Sequence, residues 1–199
     1  MIRIENPDKV FFVSDTHFNH SNIIKYCDRP YKDKYEMDEA LIYNWNEIVP
    51  EDGIVFHLGD FKWSGSWNTT LDRLNGKIHL IKGNHDYEAA RFINRFESVQ
   101  EQLTIEIDDS IVKLNHFPYL CFPSQYIQLF GHIHLSTRRN EGYDFERSNL
   151  LQPNQYDVGV DLNNYKPISW KKVYERVKYQ IDNNINCLYW IKNESSSDK

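Results

Sequence analysis

Asp15, His17, Asp60, Asn84, His116, His132 and His134 form an ordered series of side chains with lone pairs to offer a cation. Most stand in four short patches: Asp15-Thr16-His17, Gly59-Asp60, Gly83-Asn84-His85-Asp86 and Gly131-His132-Ile133-His134. His116 falls between the third and fourth, at the end of Ile111-Val112-Lys113-Leu114-Asn115. Carboxylate, amide and imidazole donors in loops are what two adjacent divalent cations require of a protein. Asp60 suits a bridging position, because a carboxylate has two oxygens with lone pairs to spare. Gly59 before it leaves room for close backbone approach. Asn84 gives a neutral oxygen, which limits negative charge at a site that must receive phosphate. Any one of these histidines has an ordinary alternative as a hydrogen-bonded structural residue. Their common placement does not, and the chain reads as a two-metal hydrolase.

Each patch follows a run that reads as a buried strand: Val10 to Ser14, Ile54 to Leu58, Ile78 to Ile81 and Ile127 to Phe130. Residues 35–49 carry Met37, Leu41, Ile42, Trp45 and Ile48 at helical spacing, ended by Pro50 and Gly53. A second helix is expected over 69–74, stopped by Asn75-Gly76. The β-α-β-α-β order favours parallel strands with helical crossovers. Further on, residues 97–115 read as a hairpin around Asp108-Asp109-Ser110, Tyr156 to Val160 as a last strand, and Trp170 to Tyr179 as a helix. In open α/β sheets ligands sit beyond the carboxyl ends of strands, where all these donors lie.

The 199 residues suit one domain, taken as 1–193, with 194–199 a disordered tail. A net charge of −6 excludes a global basic field that would gather nucleic acid. No apolar stretch is long enough for a membrane span, and Arg3, Glu5, Asp8 and Lys9 interrupt any leader, so cytoplasmic residence is expected. Cys27, Cys121 and Cys187 lack metal or disulfide spacing, and Cys27 reads as a small apolar filler. His57 and His79 lie inside apolar strands and read as packed core histidines. His20 serves either substrate contact or the start of a helix. Arg29 and the pair Arg138-Arg139 are candidate phosphate contacts, with solvated loops as the alternative for the pair.

The order D-x-H, G-D, G-N-H-D, H, G-H-x-H resembles the calcineurin-like metallophosphoesterase superfamily. Ser14-Asp15-Thr16-His17-Phe18-Asn19-His20 with Asn22-Ile23-Ile24 is similar to a compact bacterial and phage subgroup. The resemblance implies an α/β fold, a four-layer α/β/β/α sandwich of two mixed β-sheets flanked by helices. It implies one metal held by Asp15, His17, Asp60 and His134, and a second by Asp60, Asn84, His116 and His132. The two divalent ions would be manganese first, with iron, zinc or nickel as alternatives. They would make hydroxide available for in-line attack on phosphorus, with His85 assisting the leaving oxygen and Asp86 or a backbone carbonyl orienting its ring. The expected substrate is a small phosphorylated compound or nucleotide, diesters ahead of monoesters. The alternatives are a nuclease, disfavoured by the acidic charge, and a non-catalytic scaffold of the same fold, disfavoured by the complete ligand set.

Overall fold

The computed structural model describes residues 1–136 and 148–193. Arg138, Arg139 and the tail 194–199 lie outside the described residues. Two five-stranded sheets face one another. In the first, β2 (Val10–Val13), β3 (Ile54–His57), β4 (Lys77–Ile81) and β5 (Ser98–Gln100) run parallel. A short antiparallel strand, β10 (Ile168–Ser169), closes the β2 edge. The second sheet has the order β1 (Ile2–Arg3), β6 (Gln102–Ile107), β7 (Ser110–Asn115), β8 (Ile127–Phe130), β9 (Gln155–Asp157). Its β6–β7 pair is the antiparallel hairpin; its other pairs are parallel. Both sheets are therefore mixed, with helices at their flanks, as the resemblance implies.

The side-chain pattern explains this layering. Val10, Phe12, Phe56, Leu58 and Ile81 of the first sheet join Leu103, Ile105, Val112, Leu114 and Leu129 of the second in one buried core. Phe11, Val13, Val55, Ile78 and Leu80 face the other way, toward Met37, Leu41, Ile42 and Trp45 of α2 (Lys34–Ile48). Central strands buried on both faces must be apolar throughout, whereas β6 alternates, with Leu103, Ile105 and Ile107 inward and Gln102, Thr104 and Glu106 at least partly exposed. Asp33 caps α2 by accepting from the N–H groups of Tyr35 and Glu36, each at 2.9 Å.

Three sequence expectations change. The run read as one hairpin arm splits at Glu101, with β5 pairing to β4 in one sheet and β6 continuing in the other. Period-two alternation cannot reveal which sheet a strand joins. The expected strand over 156–160 stops at Asp157, because its carboxylate accepts from Gly159 N–H at 2.7 Å and turns the chain. Gly159 then bridges to Ser14 at the end of the first sheet. The helix expected over 69–74 is the single turn α3 (Asn68–Leu71), with Gly76 at φ +88° in the following turn. A short helix, α1 (Ser21–Tyr26), follows the first patch. Near the end, α4 (Trp170–Asn183) buries Val173 and Val177 and sets Trp170 against Phe12, before α5 (Leu188–Asn193). No helix among the described residues is long and apolar enough to cross a membrane.

Candidate metal centre

The loops after β2, β3, β4, β7 and β8 converge at one end of the two sheets, and all seven expected ligands come with them. Asp15, His17, Asp60, His132 and His134, five of the seven, have positive φ between 48° and 73°. This left-handed backbone costs a non-glycine residue on the order of 1 kcal/mol, and five adjacent cases indicate loops shaped for function rather than for local comfort. The approach is close as well. A side chain at Gly83 would collide with the Asp60 carboxylate, and one at Gly131 with Ser14 and Asp15.

Asp60 stands at the middle. Its Oδ2 lies 3.5 Å from His17 Nε2, 3.5 Å from His116 Nε2 and 3.9 Å from His85 Nε2. On one side, Asp15, His17 and His134 each bring a donor atom within 4.8 Å of the others. On the other side Asp15, Asp60 and His116 do the same, and Asn84 Oδ1 is 3.0 Å from His116 Nε2. The His132 ring is 5.1 Å from that of His116, and its backbone N–H donates to Asp15 Oδ2 at 3.0 Å.

Protonation tests whether these residues fit cations. Both ring nitrogens of His17 and Oδ1 of Asp15 are buried without a hydrogen-bond partner among the described residues. Burial holds the His17 imidazole well below its usual range, and the nearby His134 lowers it further. Neutral buried nitrogens facing carboxylates are costly unless something positive lies between them. His116 donates from Nδ1 to the Leu58 carbonyl at 2.7 Å, which turns Nε2 toward Asp60 and Asn84. Burial would lower its pKa, but the Asp60 hydrogen bond and the charges of Asp15 and Asp60 push it up to about 9. The same carboxylate oxygens that favour a proton on His116 would favour a cation beside it. The donor set is nitrogen and oxygen, consistent with borderline divalent ions.

Several expected site residues lie under the centre instead of in it. Arg29 cannot meet substrate, because its side chain is fully buried and its donors are engaged. It grips Asp161 through Nε at 2.8 Å and Nη2 at 2.9 Å, and donates to the carbonyls of Asp15 and Thr16. Asp161 in turn accepts from His134 Nδ1 at 2.9 Å, which aims Nε2 at Asp15. Burial alone would raise the Asp161 carboxyl; Arg29 and His134 hold it well below the usual carboxylate range. Cys27, expected as filler, is buried with its sulfur within 4.8 Å of both His134 and Asp161.

Asp86 does not orient the His85 ring. Its oxygens accept from the N–H groups of Asp60, Phe61 and Gly83 at 2.8 to 2.9 Å, tying the β3 and β4 loops together. Burial pushes its carboxyl up to about 6, against the pull of those bonds. His57 is a core histidine as expected, with Nε2 on Thr16 Oγ1 at 2.9 Å and Nδ1 accepting from Gly59 N–H. Since the Thr16 hydroxyl donates to the Phe61 carbonyl, His57 carries its proton on Nε2. His79 is half-buried, stacked on Phe56 and bonded to Ser98.

The rim carries His85, whose side chain is 33% exposed and whose N–H donates to Asp60 Oδ1 at 2.9 Å. His20 occupies the N-cap position of α1 but makes no side-chain cap bond. Its ring lies under Trp63, stacked at 4.0 Å between centroids, and Trp63 is 4.9 Å from His85. Opposite, Phe117 packs on His132 at 4.6 Å and borders a cavity of about 470 Å³ lined by Leu120, Ile133, Leu150 and Leu151. Trp63, Phe117 and Asp161 went unnoticed as site residues in the sequence. Only the five-residue stretch Phe61 to Gly65 after Gly59-Asp60 held a signal, an aromatic in a loop bound for the site.

The comparisons agree with this geometry. The model of the calcineurin-like phosphoesterase family matches residues 8–184. The chain is 34% identical over 185 residues to an uncharacterised protein of Methanocaldococcus jannaschii, MJ1445, covering 90% of this chain and 98% of that one. Among solved structures, a protein of unknown function from Aquifex aeolicus, AQ665, superposes with a TM-score of 0.66 at 24% identity, covering 83% of this chain and 97% of its own. The chain belongs to the calcineurin-like phosphoesterase family and is a hydrolase of phosphoester bonds.

Proposed function

We propose that this chain is a two-metal phosphodiesterase acting on small phosphorylated or nucleotide substrates. The observation that carries the proposal is the pair of donor clusters that share Asp15, with Asp60 Oδ2 3.5 Å from both His17 and His116, and buried His17 nitrogens without a hydrogen-bond partner among the described residues. Asp15, His17, Asp60 and His134 would hold one cation, and Asp60, Asn84, His116 and His132 the other, manganese being the expected metal. Cations bound there would neutralise charge on phosphoryl oxygens and acidify water near neutral pH.

The chain's own residues do the rest. His85 keeps its ring free and partly exposed beside Asp60, where it can give a proton to the leaving oxygen. Its anchored backbone N–H fixes the loop, so the ring's reach is set before substrate arrives. Asn84 supplies an oxygen without charge, sparing an anionic substrate one more repulsion. Asp86 keeps the two loops in register, and Arg29 with Asp161 sets His134. Diesters are favoured because the centre opens on two sides, at Trp63 and at the cavity beside His132, so both ester arms have room.

The test is hydrolysis of bis-p-nitrophenyl phosphate by metal-stripped protein resupplied with manganese, beside His85→Ala. Metal-dependent turnover that falls at least a hundredfold in the variant supports the proposal. Manganese bound without turnover would overturn it.

A further inference from the structure

We infer that Trp63 is a stacking platform for the leaving arm of the substrate, which selects phosphodiesters whose departing group carries a planar aromatic ring. The inference rests on the phosphoesterase reading of the site and narrows its substrate class. Three placements support it. First, the indole lies 4.9 Å from the ring of His85, the residue proposed above to protonate the leaving oxygen. Second, one indole face is closed by His20, stacked at 4.0 Å and 4° between planes, while the residue as a whole remains 48% exposed. A ring can therefore approach only the outer face, in an orientation set in advance. Third, the loop is fastened on both sides of the indole. Trp63 N–H donates to the Phe18 carbonyl at 3.0 Å, and Asn19 Nδ2 donates to the Ser64 carbonyl and hydroxyl at 3.0 and 2.9 Å.

A platform of this kind gains affinity because its ordering was completed on folding. Aromatic faces bind planar rings of many identities, so the preference is for ring shape rather than for one base. The competing explanation is that Trp63 merely covers His20. Any bulky apolar side chain would serve that purpose, which makes the two separable.

The experiment is calorimetric binding of three anions to the manganese-loaded protein: inorganic phosphate, diphenyl phosphate and dicyclohexyl phosphate. The two diesters match in charge and approximate size but differ in ring planarity. Wild-type protein is expected to bind the diphenyl ester about tenfold more tightly, the size of one modest stack. Trp63→Phe should keep most of that ratio, and Trp63→Leu, which still covers His20, should reduce it to about one. Because the ratio is taken within each variant, general loss of affinity or stability does not affect it. Equal binding of the two esters by wild type, or a ratio unchanged in Trp63→Leu, overturns the inference while leaving the phosphoesterase reading intact. Failure of inorganic phosphate to bind overturns the reading of the site, and the platform falls with it.

Discussion

Asp161→Asn tests the support beneath the centre at a single atom pair. The substitution keeps the shape of the side chain and removes its charge. Arg29 would then sit with a fully buried guanidinium and no counter-ion, the single amide oxygen replacing only one of the two carboxylate acceptors it meets at 2.8 and 2.9 Å. Breaking one half of such a buried pair costs roughly 3–5 kcal/mol, because the remaining charge stays desolvated. For a chain of this size each kcal/mol lowers the melting temperature by about 2–4 °C, so a fall on the order of 10 °C is expected. Thermal unfolding followed by circular dichroism in excess chelator isolates this term from any metal contribution. With the amide oxygen kept on Arg29 Nε, the amide NH2 faces His134 Nδ1–H in place of an acceptor, and loss of such a partner weakens metal affinity by roughly 10–100-fold. Manganese titration of the folded variant reads that second effect. A melting temperature within 2 °C or so of wild type would refute the claim that Arg29 and Asp161 form a charged, desolvated pair.

Asp60→Asn should lower the bound metal from two ions toward one or none by elemental analysis, whereas His134→Ala should retain one; equal losses would contradict a shared Asp60. The metal-free protein should lose stability as pH rises from 6.5 to about 9. His116 has its folded pKa raised from 6.5 to about 9, so its stabilisation is complete below pH 6.5 and lost as pH rises through about 9. The limiting slope is about 1.4 kcal/mol per pH unit for one proton. Metal displaces that proton, so manganese affinity should rise over the same window, and melting curves that ran parallel with and without manganese would sink the assignment.

The strand ends were legible because two independent signals coincide there. Val10 to Val13 and Ile54 to Phe56 are apolar throughout, and each run is followed within four residues by a candidate metal ligand. The supports were not legible, since they join residues that only folding brings together. Arg29 stands among Lys25, Lys32 and Lys34, a segment that looks solvated, yet its partner is 132 positions away. Asp86 follows His85 directly in sequence, which suggests contact, but the turn between them sends the carboxylate inward to backbone N–H groups. β1 and β10 are two residues long, too short for any periodicity. The left-handed backbone at Asp15, His17 and Asp60 leaves only a weak trace in residue type: Asp and His adopt it more readily than most residues, but glycine, its usual marker, is absent from those positions.

The division of ligands between the sheets has a kinetic consequence. Of the proposed ligands, Asp15, His17, Asp60 and Asn84 follow strands of the first sheet, while His116, His132 and His134 follow strands of the second. With the first sheet formed alone, one proposed cation site would lack His134 and the other both His116 and His132, so neither is complete until the sheets have docked. Interactions completed that late are absent from the folding transition state. Bound metal would therefore leave the folding rate nearly unchanged and slow unfolding instead, acting as a latch on a joint already closed.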